Sequence, residues 1–421
     1  MPVVPNPLHS PALLALQKAL DRGKGDELEA FWQKASQQGT PLIEPIQGDT
    51  EHSFVTFLWR AEEELKNVVI VGDCTKWDFH AGQLAHLSGT DLWYKTCRLP
   101  NDLCTTYWLA PNDMLIPMEE SIETVSWKER TATWGPDPLN PNQYFIPKHE
   151  EDTTEEDIYK SILEMPDVPP PLWVEPRANV SKGQVDLHRF HSDILDNERR
   201  VWIYTPPNYR AEAEPYHLLF LFDGQVYTTI IPTPTILDNL WAEKQIPQTV
   251  AILVDSPDAQ TRNQELASHP PFADFLTQEL LPWVRQNYTV TSNPAQTIIG
   301  GSSHGGQGAA YIGLRHPDIF GNVLSQSGSF WWKLEDGTAY EWLTDHFVSS
   351  NRPRVKFYLN MGSLEDMSFF GQPTALDAVR CFRDILLING YAVHYKEYSG
   401  GHDYLCWRGN LANGLITLTG T

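Results

Sequence analysis

Gly301-Ser302-Ser303-His304-Gly305 sets a serine between two glycines in the pattern G-x-S-x-G. That spacing suits a nucleophile carried on a tight strand-to-helix turn, where neighbouring side chains must be small and the following helix aims its first amides at a developing oxyanion. A glycine-rich turn with an incidental serine is the alternative, and the rest of the chain decides between them. A serine hydroxyl attacks an ester only if a base takes its proton and a carboxylate holds that base. Both follow in the chain. Asn360-Met361-Gly362-Ser363-Leu364-Glu365-Asp366 offers two adjacent acids, and Gly400-Gly401-His402 offers an imidazole on a loop of small residues. His304 adjoins the serine and His394 lies within a strand pattern, so His402 is the expected general base. Chemistry alone does not separate Glu365 from Asp366. The backbone amides of His304 and Gln225 are the expected oxyanion donors.

These residues need a parallel sheet to carry them. His217-Leu218-Leu219-Phe220-Leu221-Phe222 and Thr249-Val250-Ala251-Ile252-Leu253-Val254 are continuous apolar runs, as expected of strands buried on both faces. Arg199 to Tyr204, Thr297 to Ile299, Val323 to Ser327, Val355 to Leu359 and Ala392 to Tyr395 add further strands. Helices are expected from about Phe272 to Arg285, after the elbow, and from Thr374 to Ile388, where Asn389-Gly390 stops the last of them. The serine, acid and histidine each follow a strand, in the chain order that an α/β-hydrolase uses. Upstream, short β-rich runs at Phe54–Trp59, Val68–Val71, Trp93–Arg98 and Thr105–Leu109 predict an antiparallel β-sandwich. The predicted organisation is therefore a helical segment (1–45), a β-sandwich (46–127), an acidic, proline-rich connector (128–180) and an α/β-hydrolase domain (181–421). The run His149-Glu150-Glu151-Asp152 with Glu155-Glu156-Asp157 is read as a solvated linker, and His188 and His191 as structural.

Composition narrows the partners. The net charge of -23 argues against nucleic acid and against an anionic membrane surface. No apolar run is long enough to span a bilayer, and Met1 to Pro11 lacks the basic start of an export signal, so a soluble cytoplasmic protein is expected. The five cysteines form no C-x-x-C pair and are odd in number, which points to reduced thiols and away from a zinc site. No metal or other cofactor is expected.

The stretch Gly301 to Gly306, continued by His316-Pro317, Phe320-Gly321 and Ser325-Gln326-Ser327-Gly328-Ser329-Phe330-Trp331-Trp332, resembles the enterochelin esterases, within the esterase-D-like group of α/β-hydrolases. Arg199 to Tyr204, Phe222-Asp223-Gly224 and Glu279-Leu280-Leu281-Pro282-Trp283 carry the same likeness. The pattern Val71-Gly72-Asp73 with Trp77 resembles immunoglobulin-like, early-set sandwiches, and such a domain followed by Asp137-Pro138-Leu139-Asn140-Pro141 is the family's usual beginning. The resemblance implies that Ser303 is the nucleophile and His402 the base. The family's acid stands three residues after the glycine of its loop, which selects Glu365 over Asp366. It further implies cytoplasmic cleavage of the ester bonds of ferric trilactone catecholate siderophores such as enterobactin. Arg262 and Trp331 are then the candidate substrate-binding residues, with a structural ion pair as the other reading of Arg262. The basic residue that often stands beside the family's acid is absent from Gly362 to Asp366. Feruloyl or acetyl esters of carbohydrates form a second substrate class, and a non-catalytic glycan-binding role, in which Trp77 meets sugar, a third reading.

Overall fold

A computed structural model describes residues 9–23, 26–153, 155–331, 355–368 and 373–419. Residues 1–8, part of the stretch read above as lacking an export signal, lie outside these. The chain divides into two compact units. The first comprises residues 1–147, 157–170 and 399–401, the second 148–156, 171–398 and 402–421.

In the first unit, α1 (Pro11–Leu20) starts on Ser10, whose side chain accepts the Leu13 N–H, with proline in the first turn. α2 (Asp26–Gln38) follows. Two four-stranded antiparallel sheets come next. One has the order β1 (Leu42–Ile46), β2 (Asp49–Arg60), β5 (Leu92–Pro100), β4 (Ala85–His86), and the other β3 (Val68–Val71), β6 (Cys104–Pro111), β8 (Ile158–Glu164), β7 (Gln143–Ile146). Alternation along β2 sends Val55 and Phe57 one way, and the Phe57 ring meets Tyr107 of β6 edge-on at 4.9 Å. Leu58 goes the other way, into a cluster with Leu13, Leu16 and Trp32 of the helices.

The predicted boundaries at 45 and 128 are corrected here. Leu42–Ile46 is already a sheet strand, and the expected connector supplies β7 and β8, which finish the second sheet. Asp137, at the start of the supposed linker, is fully buried. It accepts the Tyr107 hydroxyl at 2.8 Å, and its N–H donates to Ser161 Oγ at 2.8 Å. Such an Asp-Pro turn is a buried polar staple, and its composition alone reads as loop. Trp77 packs against Trp108 and Trp134 with its Nε1 on Asp73 at 2.7 Å, within an aromatic cluster of this unit.

The second unit carries one eight-stranded sheet. Its strands are β9 (Gln184–Ser192), β10 (Asn197–Thr205), β11 (His217–Phe222), β12 (Thr249–Val254), β13 (Thr297–Ser302), β14 (Asn322–Gln326), β15 (Lys356–Gly362) and β16 (Ala392–Tyr398), in the spatial order β16-β15-β14-β13-β11-β12-β10-β9. β10 runs antiparallel to β9 and β12, and the other pairs are parallel. The helices α3 (Gly224–Thr229), α4 (Thr233–Ala242), α5 (Ala259–Glu265), α6 (His304–Arg315), α7 (Ala375–Ile388) and α8 (Tyr404–Thr419) connect or follow these strands. α6 and α7 bury Tyr311, Val379 and Phe382 with Phe220 and Phe357 in one cluster. α3, α4 and α8 bury Tyr227, Leu240, Trp407 and Leu415 with Leu221 and Leu253 in another. Alternate residues of the same strands feed the two clusters, which is why these strands read as unbroken apolar runs. The helix expected from Phe272 to Arg285 is present with a wide π turn at Phe275–Leu280, just before Pro282, which has no N–H to donate back.

Candidate active site

β13 ends at Ser302 and α6 begins at His304, so Ser303 is the single residue between them. Its backbone sits at φ 58°, ψ -124°. A side chain in that region costs about 1–3 kcal/mol and persists only where the surroundings impose it. Here the Ser303 N–H donates to Gln326 O at 2.9 Å, and Ser303 O accepts from Gly306 and Ser329 at 3.0 and 3.1 Å. The glycines around it serve close approach. A Cβ on Gly301 would stand 2.8 Å from the Gly305 carbonyl carbon, and one on Gly306 would stand 2.6 Å from Ser325 Oγ and 3.1 Å from Gly328 Cα.

The structure brings Ser303, His402 and Glu365 into one line. Ser303 Oγ lies 3.0 Å from His402 Nε2, and His402 Nδ1 lies 2.6 Å from Glu365 Oε2. A carboxylate only accepts, so Nδ1 carries the proton of the neutral ring. Nε2 then presents a lone pair to the Ser303 hydroxyl. Glu365 is fully buried. Its Oε1 accepts the Gly362 N–H at 2.8 Å and the Ser327 hydroxyl at 2.6 Å. Ser327 in turn accepts Trp407 Nε1–H at 2.9 Å and faces the Tyr398 hydroxyl at 3.2 Å. Since the one Ser327 proton goes to Glu365, Tyr398 is the donor. Burial, with the charge of Glu365 added, pushes the Tyr398 phenol well above its usual value and keeps it a donor. The Trp407 ring also meets His402 edge-on at 4.8 Å and fixes the imidazole plane.

Ser327, Tyr398 and Trp407 were not anticipated. The sequence signal lay in Ser325-Gln326-Ser327, a strand end with two serines in an otherwise apolar sheet. A buried hydroxyl needs a partner, and only the fold identifies it.

The remaining expected residues are placed as follows. His304 opens α6, where the first amides of a helix point out along its axis toward the serine. Its ring contacts Asn263 Oδ1 at 3.2 Å, and burial, with the charge of Arg262, pushes its pKa down to about 3, so it is neutral. The Gln225 N–H, expected as an oxyanion donor, donates to Asp255 Oδ1 at 3.3 Å. Arg262 forms a two-point ion pair with Asp223, at 2.5 and 2.8 Å, which is the structural reading. Trp331 is half-buried against the cluster that holds Phe330 and Phe382.

The run read as a solvated linker is anchored at His149 and Glu150, while Glu155, Glu156 and Asp157 are exposed. His149 Nε2 reaches Asp255 Oδ2 at 2.9 Å, and Glu150 reaches Arg200 at 2.7 Å. Gln225 Oε1 accepts from the Glu150 N–H and from Arg200, and its Nε2 donates to Lys148 O. The signal for this was Arg199-Arg200 in an apolar strand. Two buried guanidiniums require carboxylates, and Glu265 and Asp255 with Glu150 supply them. No disulfide joins Cys74, Cys97, Cys104, Cys381 or Cys406. Among the described residues no cluster of histidine, cysteine and acidic side chains is arranged to hold a metal, and no helix is long and apolar enough to cross a membrane.

Comparison with known proteins gives concordant results. Residues 192–418 match the family described as putative esterase, and residues 54–174 the family described as enterochelin esterase, N-terminal. The chain is 30% identical over 388 residues to an iron(III) enterobactin esterase of Escherichia coli O6:H1, covering 86% of this chain and 90% of that protein. It is 29% identical over 430 residues to an iron(III) salmochelin esterase of the same strain, covering 98% of each. The crystal structure of an enterobactin esterase from Shigella flexneri, determined in the presence of enterobactin, superposes with a TM-score of 0.71 at 28% identity, covering 93% of this chain and 97% of the other.

Proposed function

The chain belongs to the enterochelin esterase family, and on that premise we propose that it hydrolyses the ester bonds of a catecholate siderophore trilactone, in its iron(III) complex, in the cytoplasm. The observation that carries the catalytic assignment is the unbroken hydrogen-bonded line from Ser303 through His402 to Glu365. Ser303 Oγ attacks an ester carbonyl as His402 Nε2 takes its proton, and the carbonyl oxygen becomes an oxyanion facing the start of α6. Collapse of this tetrahedral species breaks the bond to the ester oxygen of the next siderophore unit, which leaves as an alcohol with the proton that His402 took from Ser303. Water then repeats the cycle on the acyl-enzyme, and one lactone ester has become an acid and an alcohol. Glu365 holds the imidazolium that forms twice per turnover. The iron is cargo of the substrate and takes no part in the proton transfers.

Side-by-side assays with a ferric tricatecholate trilactone and a feruloyl ester test this. The trilactone is expected to be opened, and Ser303→Ala is expected to lower kcat by at least about a thousandfold at unchanged fold stability. Hydrolysis of the feruloyl ester alone overturns the substrate, and full activity of Ser303→Ala overturns the nucleophile.

A further inference from the structure

A second serine touches the proposed nucleophile. Ser329 lies in the turn after β14, is 2% exposed, and has its Oγ 3.2 Å from Ser303 Oγ. Its N–H donates to Ser303 O at 3.1 Å, so it is tied to the elbow and does not merely pass near it. Counting protons fixes the direction of the hydroxyl contact. The one Ser303 proton points at His402 Nε2, and the one on His402 points at Glu365. The hydrogen between the two serines therefore comes from Ser329, which donates to a lone pair of the nucleophile.

This bond differs in strength between the two halves of the reaction. In the free enzyme Ser303 Oγ is a hydroxyl oxygen and a good acceptor, so the bond is already formed before acylation begins. In the acyl-enzyme the same atom is an ester oxygen whose lone pair is drawn into the carbonyl, and it accepts poorly. During deacylation, water gives a proton to His402 and adds to the acyl carbon. The carbon–Oγ bond then breaks with its electron pair going to Oγ, and His402 Nε2–H returns the proton to that oxygen. Negative charge gathers on Oγ as the bond breaks, and a hydrogen bond to a charged acceptor is about twice as strong as a neutral one. Only an interaction that is stronger in the transition state than in the state preceding it accelerates a step.

We propose that Ser329 is a catalytic residue of deacylation: its hydroxyl stabilises Ser303 Oγ as the departing group when the acyl-enzyme is hydrolysed. The proposal rests on Ser303 being the nucleophile. Its signature is asymmetric, since losing the hydroxyl costs the second step and spares the first.

Stopped-flow kinetics of the full chain with p-nitrophenyl acetate separate the two steps. Ser329→Ala is expected to slow deacylation by about tenfold, the loss of one hydrogen bond, while acylation stays within about twofold. The burst of p-nitrophenol then approaches one per active site. Ser329→Cys, close in volume and a weaker donor, is expected to show the same imbalance to a smaller degree. It carries the test if the alanine variant does not fold. An equal loss in both steps, as a merely structural role would give, or no loss in either, overturns the proposal. Turnover that survives Ser303→Ala overturns instead the reading on which it rests.

Discussion

Glu365 is the residue on which the site's polarity turns, because three donors converge on its buried carboxylate and one of them is the His402 imidazole. Glu365→Gln keeps the shape and places an amide against His402. The ring then loses the partner that fixes its Nδ1–H tautomer and stabilises its charged form. The expected result is a fall in kcat of about 10³–10⁴-fold with little change in KM, read from steady-state kinetics. Asp366→Asn, one residue on, is expected to leave kcat within about twofold. That Ser303, Glu365 and His402 each follow a strand was legible from the sequence pattern, because strand signals are local. The choice between two neighbouring acids was not, since it depends on which one faces Ser327 and Gly362. The partners of Ser327 were hidden for the same reason: Glu365, Tyr398 and Trp407 lie 38, 71 and 80 positions away.

The β13–α6 elbow is the element that holds Ser303 in its strained backbone, and its tolerance for volume is set by the crossing of α6 over the turn after β14. Gly306→Ala drives a Cβ into Ser325 Oγ and against the Gly328 backbone. Overpacking of this kind costs about 1–3 kcal/mol. Because Gly328 precedes Ser329, relief by moving the turn also displaces a neighbour of Ser303. A lowered Tm and a kcat loss of more than about tenfold are expected together. Gly409→Ala, in the middle of α8 with open space around it, is expected to be neutral or to stabilise by about 0.5–1 kcal/mol. Strands β11 and β12 were read to the residue, since an apolar run bounded by polar turns has one interpretation in a doubly wound sheet. The anchoring of His149 and Glu150 was missed because carboxylates near one another in sequence look solvated. What makes them structural is the buried Arg200, about fifty positions downstream.

For the whole molecule, the balance of histidines sets the response to acid. Burial holds His217, His269, His304 and His316 below their ordinary pKa. Below about pH 6.5 the unfolded chain takes up protons that the folded state refuses, so this contribution is present at neutral pH and lost as pH falls. His149, raised by its hydrogen bond to Asp255, works in the opposite sense, its contribution being lost as pH rises. With four groups against one among the described histidines whose shifts are given above, the urea midpoint is expected to drop between pH 7 and pH 5 with net proton uptake on unfolding. An unchanged or rising midpoint contradicts this sum. The path of the chain between its two units carries a different consequence. It leaves the first unit at 148, returns at 157, leaves again at 171 and revisits it at 399–401 before ending in the second. A recombination event that exchanged everything ahead of residue 171 would carry away the His149–Glu150 anchor of Gln225 along with the β-sheets. No single crossover therefore exchanges one unit without cutting into the other.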